Sequence, residues 1–122
     1  MSSEQLHEAA DALRVETIDH HRAVTSLVEE LEAVDWYDQR VDATTDEELK
    51  DILRHNRDEE KEHAAMVLEW IRRRDPQLDA QLRKYLFTTV PITDRAQEAE
   101  AQTAAPTTTS LGIGSLRDKE LL

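Results

Sequence analysis

Asp58-Glu59-Glu60-Lys61-Glu62-His63-Ala64-Ala65-Met66-Val67-Leu68-Glu69-Trp70 carries two polar side chains on the apolar face of a helix. At ~100° per residue, with Leu49 as zero, Leu53 falls at ~40°, Val67 at ~0°, and Ile52 and Trp70 at ~−60°. Glu60 falls at ~20° and His63 at ~−40°, in the middle of that stripe. An ionised carboxylate facing a dry interface is costly unless something compensates it. The i, i+3 spacing puts both side chains on one patch. A metal ion is the compensation this donor pair suggests, since Glu-x-x-His recurs as a ligand pair at di-iron sites in helix bundles.

Around this stretch the chain reads as helix on both sides. Helix 1 is expected from about Glu4 to about Tyr37, with Leu6, Leu13, Val24, Leu27, Leu31 and Val34 at helical spacing and neither Gly nor Pro between them. Residues 41–45 read as a short connection. Thr45 and Glu48 fit a capping box that opens helix 2. Helix 2 then runs to about Arg74, with basic residues in its last turn and Pro76 just past its end. A third, shorter helix is expected from about Gln77 to Phe87, with Leu78, Leu82, Tyr85 and Leu86 on one side and Pro91 as its stop.

The fold class is therefore all-α: an antiparallel two-helix hairpin with a short third helix. Each long helix has an apolar stripe, and there is too little chain to cover both. Two hairpins related by a two-fold axis would make a ferritin-like four-helix bundle. Association is close to a requirement for folding.

Composition narrows the partners. The chain has 122 residues and 27 acidic against 15 basic side chains, a formal charge of −12. Such a surface repels phosphate backbones and attracts cations, so nucleic acid is not an expected partner. There is no run of 18 apolar residues, hence no expected membrane span. The polar start Met1-Ser2-Ser3-Glu4-Gln5 has no apolar core of a secretion signal. With no cysteine, thiolate sites are excluded and His, Glu and Asp remain as ligands, a set that suits iron or manganese.

Three segments are expected: a helical domain over 1–92, a linker over 93–110 and a terminal peptide over 111–122. The linker is rich in Ala, Thr, Gln and Glu and cannot bury a core. After it, Leu111-Gly112-Ile113-Gly114-Ser115-Leu116 regains spaced apolar residues and holds both glycines of the chain. An apolar segment on a tether reads as a docking peptide.

On helix 1, with Leu27 as zero, Glu30 lies at ~−60° and borders the stripe of Leu31 and Val34. Glu30, Glu60 and His63 give three possible ligands per chain, and a two-fold dimer doubles them to four carboxylates and two imidazoles. That is the inventory of a carboxylate-bridged di-iron centre. The plainer reading is an ion pair between Glu60 and His63 across the dimer seam, which leaves Glu30 unexplained. Glu29, Glu32 and Trp36 lie at ~200°, ~140° and ~180°, on the opposite face. By spacing alone they are best read as a solvated stripe. His55, Glu59 and His63 repeat every four residues, as in hemerythrin-like oxygen- or metal-carrying bundles, and His20-His21 could add to such a site. However, His55 and Glu59 lie at ~−120° and ~−80°, at or beyond the edge of the apolar stripe. Arg72-Arg73-Arg74 complements the helix dipole.

Glu29 to Tyr37, His55 to Met66 and Leu68-Glu69-Trp70 closely resemble the encapsulated ferritins over about residues 5 to 93. Leu111 to Leu116 resembles the peptide that loads cargo into encapsulin shells. The resemblance implies a ferroxidase built as a ring of ten subunits in five dimers inside an encapsulin nanocompartment in the cytoplasm. It implies two iron ions per dimer interface, held by Glu30, Glu60 and His63 of each chain. It also implies that Glu29, Glu32 and Trp36 form a secondary site of metal uptake. Nothing in the linker matches a motif.

Overall fold

In the computed structural model, which describes residues 6–97, the element order is a 3₁₀ turn at Ala10–Ala12, α1 at Val15–Ala43, α2 at Glu47–Arg74 and α3 at Pro76–Tyr85. A further helical turn follows at 92–97. All regular structure among the described residues is helical, as expected from the sequence, and no helix is long and apolar enough to cross a membrane. The tail peptide Leu111–Leu116 and the linker beyond 97 lie outside the described residues.

Helix 1 differs from expectation at both ends. It begins at Val15, not near Glu4, because Leu13 and Arg14 are extended after the 3₁₀ turn. Ala10 and Ala12 favour helix locally, but helices are held mainly by packing of an apolar face. Residues 6–14 offer only Leu6 and Leu13 for that purpose, and Leu6 is exposed. At the other end α1 continues past Tyr37 to Ala43. Val41 is buried there, and Arg40 in the last turn faces the negative end of the dipole.

The longer α1 leaves only residues 44–46 as the connection, which moves the cap of α2 by one position. Asp46, not Thr45, is the N-cap: its Oδ1 accepts from the Leu49 N–H at 2.9 Å. Thr44 Oγ1 accepts from the Asp46 N–H at 3.2 Å and holds the turn. A carboxylate at this place satisfies an orphan donor and also complements the positive end of the helix.

Helices α1 and α2 pack on each other. They run antiparallel, since Asp38 meets Arg57 while the earlier Glu30 meets the later His63. Val41, Ala64 and Ile71 are the buried hydrophobic residues among those described. Leu31, Leu49, Ile52 and Met66 stay exposed, Met66 at 58%. One hairpin therefore leaves much of its apolar stripe uncovered.

The chain divides into two compact units after Arg74. In the second, Asp75 Oδ1 accepts from the Leu78 N–H at 3.0 Å and Pro76 occupies the first helical position, where its missing N–H costs nothing. Helix α3 stops at Tyr85, two residues before the expected end. Leu86 is already extended, and Phe87 has φ 61°, a left-handed conformation that a right-handed helix cannot contain. Arg95 Nε donates to the Lys84 carbonyl at 2.8 Å, tying the last helical turn back to α3.

Candidate metal centre

Glu30 stands midway along α1, and Glu60 and His63 stand one turn apart near the middle of α2. An uninterrupted α2 fixes the second pair by helical geometry alone. The hairpin supplies the third group. His63 Nδ1 lies 3.5 Å from Glu30 Oε2 and 3.5 Å from Glu60 Oε2. One ligand atom from each residue lies within 4.8 Å of the others, and this is the group of three or more acidic or histidine ligands found among the described residues. All three side chains are partly buried.

The three groups perturb one another's protonation. The Glu30 carboxyl is pushed above its usual range, first by a hydrogen bond with Glu60 and then by burial and the charge of Glu60, while His63 pulls it back. For His63, burial acts to lower the pKa, but the hydrogen bond to Glu60 and the charges of Glu30 and Glu60 outweigh it and raise the imidazole. A divalent ion would take the place of these protons, so binding would release them. Two carboxylates and one imidazole suit iron, manganese or zinc, and three donors leave coordination positions open.

The other candidate residues are placed elsewhere. Glu29, Glu32 and Trp36 are exposed on α1 and are not gathered with further ligands among the described residues. His55 Nε2 pairs with Glu59 on an exposed part of α2, and neither joins His63 in a ligand cluster. His20 lines an open cavity of about 540 Å³ with Arg14, Thr17, Trp70 and Arg74. The geometry thus brings Glu30, Glu60 and His63 together and leaves His55 and Glu59 apart from them.

Sequence reasoning missed Arg57, whose guanidinium joins Asp38 on α1 at 3.0 Å. A cationic residue one turn before Glu60 was the available signal, but which carboxylate it would meet depends on the packing of two helices.

Known proteins share this arrangement of sequence and fold. The EncFtn-like family profile matches residues 5–89. An encapsulated ferritin-like protein of Rhodospirillum rubrum is 56% identical over 131 aligned residues, covering 99% of this chain and 94% of the relative. An encapsulin nanocompartment cargo protein of Myxococcus xanthus is 39% identical over 99 residues, covering 72% of this chain and 76% of the relative. The crystal structure of a Nitrosomonas europaea protein superposes with a TM-score of 0.70 at 64% identity, covering 71% of this chain and 96% of that one. With a family match over most of its length and a majority-identical relative over nearly all of it, this chain belongs to the EncFtn-like family.

Proposed function

We propose that this protein is a ferroxidase that oxidises Fe²⁺ to Fe³⁺ at a centre shared by two copies of the chain, and that it works inside an encapsulin compartment. The convergence of Glu30, Glu60 and His63 within 4.8 Å carries the reading. The names of the Rhodospirillum and Myxococcus relatives support its placement in a ferritin-like, encapsulated system.

In this reading Fe²⁺ is the substrate. The carboxylates of Glu30 and Glu60 bind it, and neutral His63 completes the donor set of one chain. A second chain across a two-fold axis supplies the same three groups, so two ions sit between four carboxylates and two imidazoles. Anionic oxygen donors stabilise Fe³⁺ relative to Fe²⁺, which favours transfer of an electron from each ion to oxygen or peroxide. The protons displaced from Glu30 and His63 on binding leave to solvent. Five such dimers would form a ring of ten, and Leu111, Gly112, Ile113, Gly114, Ser115 and Leu116 would dock on the shell protein, in whose lumen the iron is stored. Glu29, Glu32 and Trp36, exposed on α1, would draw cations toward the centre.

The test is aerobic Fe²⁺ oxidation by the purified full chain, followed by Fe³⁺ absorbance. E30A, E60A and H63A each remove two ligands from a two-fold centre. Each should lose more than the about 10- to 100-fold typical when only a ligand's support is altered. H55A should retain a rate close to that of the unaltered protein. An E60A protein with the unaltered rate would refute the assignment.

A further inference from the structure

Arg57 lies one turn before Glu60 on α2 and reaches over to α1. Its Nη1 donates to Asp38 Oδ1 at 3.0 Å, and its Nε donates to Asp58 Oδ1 at 3.1 Å. The side chain is only 22% exposed, against 52% for Asp38. Like the contact between Glu30 and His63, this pair crosses from one helix to the other.

The two crossings stand at different levels of the hairpin. Asp38 is eight residues beyond Glu30, ~12 Å along α1, and Arg57 is six residues before His63, ~9 Å along α2. One contact between two rods leaves them free to pivot about it, whereas a second at another level fixes slide and rotation together. At the level of the cluster, midway along the helices, His63 stands 3.5 Å from each carboxylate, beyond the length of a strong hydrogen bond, so this level by itself defines the register weakly. The buried core is also sparse along this length. A slip of one residue moves a helix by about 1.5 Å and turns it by about 100°, while metal–ligand distances tolerate only about 0.2 Å.

We propose that Arg57, acting through Asp38, is a positioning residue that sets the register of α1 against α2 and thereby the distance of Glu30 from Glu60 and His63. The inference rests on the metal-centre reading given above. Arginine suits the task because its planar fork offers separate donors in fixed directions, here one toward each helix, where a lysine ammonium is a single flexible point. An ion pair whose carboxylate is half exposed adds little to stability. The effect should therefore fall on the geometry of the site more than on the melting temperature.

Co²⁺ serves as the probe, added to the metal-free full chain, with its d–d absorption reporting ligand geometry and its titration giving affinity. R57Q and D38N should each weaken Co²⁺ binding about tenfold and change the shape of the absorption band, with helical circular dichroism and melting temperature nearly unchanged. The double variant should be no worse than either single one, because one contact is being removed. R57K should restore part of the affinity by keeping the charge near Asp38. An R57Q protein with the unaltered Co²⁺ spectrum and affinity would overturn the proposal and leave the metal centre standing. If R57Q does not fold, D38N decides in the same way. If the unaltered protein takes up no Co²⁺, both readings fall together.

Discussion

Glu69 shows how local charge is managed nearly two helical turns beyond the centre. Both of its carboxylate oxygens are engaged: Arg72 Nε lies 2.7 Å from Oε1 and Arg73 Nε lies 2.7 Å from Oε2. The hydrogen bonds from Arg72 and then Arg73 hold the carboxyl at about 2, against an ordinary 4.5. A folded-state pKa below the unfolded one stabilises the native chain above the unfolded value, and that contribution is lost as pH falls through the folded one. The melting-temperature advantage of the unaltered protein over E69Q should thus be full well above pH 4.5, shrink as pH falls toward about 2, and vanish only below it. A gap that persisted at the acid end would mean that Glu69 stabilises the helix by something other than its charge. Glu30 and His63 show the opposite use of charge, since their neighbours make them hold protons more tightly until a cation displaces them.

At the level of the helices, the exact start of α2 matters because Glu60 and His63 are counted from it. The Asp46 cap anchors that start through the Leu49 N–H. D46A should lower stability by about 1 kcal/mol, measurable by urea denaturation, whereas T45A should have a much smaller effect. Equal losses from the two changes would contradict the cap assignment. The same element shows how a short-range motif can mislead. Thr45 and Glu48 have capping-box spacing, but the box needs Thr45 to be the last residue before the helix. The burial of Val41 lengthens α1 and shifts that position to Asp46.

The whole molecule sets two forces against each other. Leu31, Leu49, Ile52 and Met66 remain exposed, and covering such surface is favourable by about 25 cal/mol per Å². In the proposed dimer, the same association would bring four carboxylates to one seam, where without a cation they repel. Metal that binds the dimer and not the separate chains shifts the equilibrium by mass action. Chelated protein should therefore be smaller by native mass spectrometry or light scattering, and Fe²⁺ should restore the larger form. An oligomer indifferent to strong chelators would argue against a shared centre.

The sequence by itself determined that the chain is helical, that two long helices form a hairpin, and that Glu60 and His63 share one helix face. These follow from residue periodicity and from a separation of three along a single helix, where geometry is fixed by the backbone. It also marked Glu30 as bordering the apolar seam. Only the tertiary structure decided that Glu30 meets His63 at 3.5 Å, that Asp38 rather than another carboxylate receives Arg57, and that α1 starts at Val15. For the two contacts the physical reason is the same. Contacts between helices depend on slide and rotation set by many weak packing terms, and no residue spacing within one helix encodes them.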